Sequence, residues 1–162
     1  MENFVKIADG LDVGPALAEI AGAPAHWIHL NADPLRFIML VTGPVERQLE
    51  AELPESWRLT DRVLDILAAD PGHQGRLRSA RIGLIPPGAG LPVHRDGIDG
   101  VRWRRYQIAL QSEPGVAFTI DGEEKRFLPG EVWQFHAGRM HSVRNDSDVD
   151  RITILIDTIA PD

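Results

Sequence analysis

The segment PPGAGLPVHRDGIDG, residues 86–100, sets His94 two positions before Asp96, between a Pro/Gly loop and a glycine. On a strand, residues i and i+2 project from one face, so this imidazole and carboxylate can share a metal ion while Arg95 points away. The pattern is short and describes an ordinary exposed strand end equally well, so a third ligand has to come from elsewhere. His141, in GRMHSVRNDSDVDRITILIDT, is the candidate. The strand after its polar turn alternates so that Arg151, Thr153 and Leu155 share one face and Ile152, Ile154 and Ile156 the other. Arg151 is the odd residue of that apolar strand. Either its head lies in solvent at the strand start, or its guanidinium clamps a carboxylate through two parallel hydrogen bonds.

The elements that must position these groups fit one domain of 162 residues. Residues 1–75 read as a helix-rich support region and 76–158 as a β core. The formal charge of −7 comes without a basic block, which argues against nucleic acid or an anionic membrane as partner. With no cysteine, thiolate metal sites and cysteine nucleophiles are excluded, and any metal must use histidine and carboxylate. The start, MENFVKIADG, has neither a basic segment nor an apolar run, and FIMLV is too short to span a bilayer. A cytoplasmic protein is expected.

Helix signals lie in the first part. GPALAEIAGA is Ala-rich, and GPVERQLEAEL repeats Val45, Leu49 and Leu53 behind Pro44. LTDRVLDILAADPG offers Thr60 as N-cap, an apolar stripe of Val63, Leu64, Ile66 and Leu67, and a stop at Asp70-Pro71-Gly72. HWIHL and RFIMLV read as strands, the second alternatively as a buried helical segment. From RLRSARIGLI onward come short strands divided by turns: RWRRYQIALQ, GVAFTI and EKRFL joined at Asp121-Gly122, EVWQFH, HSVRN and RITILID. Such a pattern predicts a mainly β jelly roll or small barrel, with the N-terminal helices covering one outer face.

Taken in order, His94-x-Asp96, the distant His141 and Arg151 ten positions later resemble the iron(II)- and 2-oxoglutarate-dependent oxygenases. The finer resemblance is to the aspartyl/asparaginyl β-hydroxylase branch, carried by Pro87-Gly88, RRYQIAL, LPGEVWQFHAGRMHSVRN and RITILID over residues 76–158. It implies a double-stranded β-helix of the cupin-like jelly-roll kind. His94, Asp96 and His141 would be the iron ligands, and Arg151 would hold the distal carboxylate of 2-oxoglutarate. Arg105 and Gln107 match positions that help hold the cosubstrate, with glutamine standing where relatives can carry histidine. Trp103, Arg105, Gln107 and Ala109 share one strand face, consistent with that assignment. The implied reaction consumes O2 and 2-oxoglutarate, hydroxylates a small polar molecule or a peptidyl side chain, and releases succinate and CO2. A face of two imidazoles and one carboxylate leaves the opposite iron positions open for cosubstrate and oxygen.

Other conspicuous residues have ordinary readings. His136 fits a structural histidine, as do His26, His29 and His73. Arg81, Arg102 and Arg104 could draw an anionic substrate toward a pocket mouth, or form a solvated basic edge that protects the sheet. Asp157 either orients a neighbour or ends its strand. Two rival classes share the fold: a cupin-type metal-dependent isomerase or dioxygenase that does not use 2-oxoglutarate, and a non-catalytic jelly-roll sensor module. HRDGIDG lacks the His-x-His and glutamate common in cupins, and a sensor gives no reason for a complete ligand set. The sequence does not specify the substrate or the oligomeric state.

Overall fold

Alternation along the strands divides the chain's apolar residues between two cores. A computed structural model describes residues 2–29 and 34–162. In chain order its elements are β1 (Phe4–Ala8), α1 (Gly14–Ala21), a 3-10 turn over Pro24–His26, β2 (Ile28–His29), β3 (Arg36–Met39), β4 (Val41–Thr42), β5 (Glu46–Arg47) and α2 (Pro54–Ala69). The β-rich part follows: β6 (Arg76–Ile85), β7 (Gly90–His94), β8 (Trp103–Gln111), β9 (Val116–Ile120), β10 (Glu123–Lys125), β11 (Val132–Phe135), β12 (His141–Asn145) and β13 (Arg151–Ile159). A major sheet runs β1-β11-β8-β13-β6-β3-β2, and a minor sheet β10-β9-β12-β7 faces it. This is the mainly β jelly roll read from the sequence. Residues before 76 contribute three strands to the major sheet as well as both helices.

On β13, Ile152, Ile154 and Ile156 turn outward to join Ala16 and Ile20 of α1 and Trp57, Val63 and Leu67 of α2. The opposite face, with Arg151, Thr153 and Leu155, looks between the sheets, where a second core surrounds Phe118, Phe127 and Phe135. The period-two pattern thus sends one set of side chains to the helices and the other to the pocket. The β9–β10 hairpin turns at Asp121 and Gly122, both with positive φ, as an Asp-Gly turn of this kind requires.

Two expectations for the first part need correction. Residues 43–53 are not a helix: β4 pairs with β5 around a cis Gly43–Pro44 bond, and Leu49 has a left-handed φ of 58°. The apolar repeat misleads because Val45 is exposed, while Arg47 stacks on Trp57 and pairs with Asp61. The next helix begins at Pro54, not after Thr60, whose hydroxyl donates back to the Ser56 carbonyl at 2.8 Å. Its cap comes from another helix: the Glu19 carboxylate of α1 accepts from the backbone amides of Glu55 and Ser56, each at 2.8 Å, and from the Ser56 hydroxyl. Strand β1, unassigned from sequence, pairs with β11 at the sheet edge. Leu30, within HWIHL, lies outside the described residues.

Candidate metal centre

Strand pairing brings the two histidines together. His141, first on β12, lies directly opposite His94, last on β7, and their rings are 4.3 Å apart. Asp96 lies beyond the end of β7 rather than on it, so simple strand alternation does not place it. Its amide donates to the Ala137 carbonyl at 2.9 Å, which turns the chain back toward the histidines. The carboxylate then stands 3.8 Å from His94 Nε2 and 3.5 Å from His141 Nε2. One ligand atom from each residue falls within 4.8 Å of the others, a grouping that could hold a metal ion.

The histidine tautomers suit such an ion. His94 Nδ1 lies 2.7 Å from the Pro92 carbonyl and His141 Nδ1 2.8 Å from that of Arg139. A carbonyl only accepts, so each Nδ1 carries a hydrogen, and Nε2 is the nitrogen each neutral ring would offer to a metal. Burial raises the Asp96 pKa, but the His141 contact and the Arg105 charge outweigh it, leaving the carboxyl below its ordinary value.

Arg105 is the hinge of this arrangement. Its Nε and Nη2 donate to the two oxygens of Asp157 at 2.7 and 2.8 Å, while Nη1 donates to Asp96. Ser79 donates to Asp157 at 3.0 Å. A chain of bonds therefore runs from Ser79 through Asp157 and Arg105 to the carboxylate of the cluster. Asp157 does orient a neighbour, and its position on the pocket face of β13 was the signal for it.

Arg151 is buried, with 5 % of its surface exposed, and faces the same pocket. Its one hydrogen bond, from Nη2 to Gln107 Oε1 at 2.8 Å, leaves it without an acidic partner among the described residues. Burial pushes its pKa down to about 10, so the side chain stays charged at neutral pH. A buried cation without a counter-ion is costly, and an incoming anion relieves that cost. The pocket, about 130 Å³, joins the cluster, Arg105, Gln107 and Arg151 between apolar walls that include Leu35, Leu91 and Val143.

The remaining candidates stand apart. His73 bridges Asp70 and Gln134, and His136 lies just after β11, with its Nδ1 buried and unpaired. Arg102 pairs with Asp162, and Arg104 donates to the carbonyls of Val101 and Gln74. Of the three arginines suggested for an anionic substrate, Arg81 lines the pocket.

Residues 25–161 match the sequence profile of the aspartyl/asparaginyl β-hydroxylase family, a span that reaches back well before the segment carrying the sequence resemblance. The chain belongs to that family. No curated protein matches it. Solved structures similar to this β-hydroxylase family chain share its fold at low identity. The non-heme α-ketoglutarate-dependent epimerase SnoN of nogalamycin biosynthesis matches at 16 % identity with a TM-score of 0.73, covering 98 % of this chain and 78 % of that one. HygX from Streptomyces hygroscopicus, solved with nickel and 2-oxoglutarate, matches at 13 % with a TM-score of 0.70 over 98 % and 83 %. The viral collagen prolyl hydroxylase of Paramecium bursaria Chlorella virus-1 matches at 13 % with a TM-score of 0.60 over 99 % and 97 %. Among the described residues of the family chain, no helix is long and apolar enough to cross a membrane.

Proposed function

We propose that this chain is an iron(II)- and 2-oxoglutarate-dependent hydroxylase of a small polar substrate or a peptidyl side chain. The observation that carries this reading is one pocket holding both the His94–Asp96–His141 cluster and the buried, anion-seeking Arg151. Metal and 2-oxoglutarate are bound together in HygX, and SnoN has been solved with Fe3+ and α-ketoglutarate, which supports the same pair of ligands here.

Iron(II), when bound with 2-oxoglutarate and O2, supplies the oxidising chemistry: the cosubstrate is decarboxylated to succinate and CO2, and one oxygen atom goes to a substrate C–H bond. The chain's own residues bind and position. His94 and His141 present Nε2 because their Nδ1 hydrogens are committed to backbone carbonyls. Asp96 presents an ionised carboxylate whose orientation Arg105 fixes. Arg151 takes the distal carboxylate of 2-oxoglutarate, with Gln107 setting the plane of the guanidinium. The apolar walls keep water from the reacting groups.

The test is anaerobic reconstitution with iron(II) and 2-oxoglutarate, followed by O2 and a succinate assay over a panel of amino acids, peptides and small metabolites. Substrate-dependent succinate with a product heavier by one oxygen is the expected result. An unchanged product mass with coupled succinate would point instead to epimerisation, the activity named for SnoN. Absence of coupled turnover in protein that binds both ligands would favour a sensor module.

A further inference from the structure

Three arginines face the pocket, and two of them have partners or a role there. Arg105 is spent on Asp157 and Asp96, and Arg151 is held by Gln107. The side chain of Arg81, in the middle of β6, makes neither a hydrogen bond nor an ion pair among the described residues, and its guanidinium lies 5.9 Å from the centre of the Phe37 ring. Burial lowers its pKa, the neighbouring Arg105 lowers it further, and Asp157 and Asp96 only partly compensate. Neither carboxylate is available to it. Both Asp157 oxygens take hydrogen bonds from Arg105, and one takes another from Ser79. Asp96 is shared between Arg105 and the two histidines.

The register separates Arg81 from the cosubstrate clamp. Arg151 lies opposite Ile85 and Arg81 opposite Leu155, so the two arginines are four residues apart along β6, about 13 Å of strand. Resting on the reading above, 2-oxoglutarate has one carboxylate for the metal and one for Arg151, and none is left for Arg81. Charge leads to the same conclusion. The pocket's three arginines face two carboxylates, and the charges of a divalent metal and doubly ionised 2-oxoglutarate cancel, so one positive charge stays unmatched. Beside Arg81 the pocket wall is apolar: Leu155 lies opposite it on β13, and the Phe37 ring faces its guanidinium.

We propose that Arg81 is the anchor of the substrate subsite, and that the substrate carries one carboxylate on an apolar body that lies against Phe37 and Leu155. A guanidinium already partly desolvated and preoriented on a strand loses little on pairing with such an anion. The neutral amide of the same shape leaves the charge unmatched and binds more weakly.

The experiment uses protein loaded with Zn(II) and saturated with 2-oxoglutarate, so that the metal and Arg151 are occupied and no turnover intervenes. Hexanoate and hexanamide are titrated and binding is followed by NMR. Hexanoate should bind at least tenfold tighter than hexanamide. The preference should vanish in Arg81→Gln and survive in part in Arg81→Lys, with 2-oxoglutarate affinity unchanged in both. Equal binding of acid and amide to the wild type, or a preference that persists in Arg81→Gln, overturns the subsite. So does a loss of 2-oxoglutarate affinity in Arg81→Gln as large as in Arg151→Met, which would make Arg81 part of the cosubstrate site. If the wild type does not bind 2-oxoglutarate at all, the cosubstrate reading fails separately. The acid-versus-amide comparison on the Zn(II) form then decides the subsite by itself, an Arg81-dependent preference supporting it and its absence overturning it.

Discussion

Replacing Arg151 by methionine should sharply weaken cosubstrate binding without destabilising the ligand-free fold, a combination not expected of a structural arginine. Burial lowers the guanidinium pKa to about 10. At about 1.4 kcal/mol for each tenfold change in proton affinity, holding that charge in the ligand-free fold costs roughly 3 kcal/mol. Because the folded value is depressed, the cost is fully present below a pH of about 10 and fades as pH rises into the ordinary range of arginine. Methionine removes the cost but leaves Gln107 Oε1 without its donor, a loss of about 1–3 kcal/mol. The two effects offset one another in large part, so the ligand-free variant should be between equal to wild type and about 2 kcal/mol more stable in urea. Cosubstrate separates the two proteins. With Zn(II) as metal, 2-oxoglutarate at 100 times its wild-type Kd should stabilise the wild type by about 2.7 kcal/mol. A variant that has lost about 2–5 kcal/mol of charge-assisted binding gains less than about 1 kcal/mol at that concentration. Urea unfolding followed by circular dichroism, with and without ligand, reads all four quantities. If Arg151→Met loses more than about 3 kcal/mol without ligand, or keeps the full stabilisation with it, Arg151 is not an anion clamp held ready in the apo fold.

Asp157→Asn withdraws the bidentate partner of Arg105. Chelator competition should show metal affinity reduced about 10- to 100-fold, and urea unfolding a loss of about 3–5 kcal/mol from the stranded guanidinium. Glu131 accepts from the Leu128 amide, the Trp133 indole and Lys6; burial opposes its ionisation, but these partners outweigh it and hold its pKa below the usual range. Its contribution is therefore present at neutral pH and lost as pH falls through the depressed folded value. Glu131→Gln should be about 1–2 kcal/mol less stable at pH 7, a gap that closes below a pH of about 4 in urea titrations. Glu19→Ala should uncap α2 and cost about 1–2 kcal/mol, with the amides of Glu55 and Ser56 exchanging faster in hydrogen-exchange measurements.

What the sequence disclosed was whatever depends on local period and residue type. The alternation of RITILID placed Arg151 on the face opposite Ile152, Ile154 and Ile156, and the histidine and carboxylate types around residue 94 pointed to a metal. What it concealed depends on partners distant in the chain. Arg105 reads as a pocket residue, yet two of its three side-chain hydrogen bonds go to Asp157, 52 positions away, on a neighbouring strand. Thr60 has the chemistry of an N-cap, but the helix starts earlier because Glu19 of another helix satisfies its first amides. Val45, Leu49 and Leu53 have helical spacing, and a strand pair and a left-handed Leu49 override it. The pairing of β7 with β12 that sets His94 against His141 is likewise a matter of topology, which no local pattern specifies.

The position of β13 has a temporal consequence. This strand lies between β8 and β6 and pairs with both along almost its whole length, although it is translated after every strand it pairs with. Until residues 151–159 leave the ribosome, the major sheet is two separate pieces, the isoleucine face that the helices cover is missing, and Arg105 has no Asp157 to hold it. Long-range pairings of this kind form late and slowly. The carboxylate of the His94–Asp96–His141 group therefore gains its rigid support only when the sheet closes, and a partly synthesised chain offers a loose pair of histidines in place of a finished arrangement.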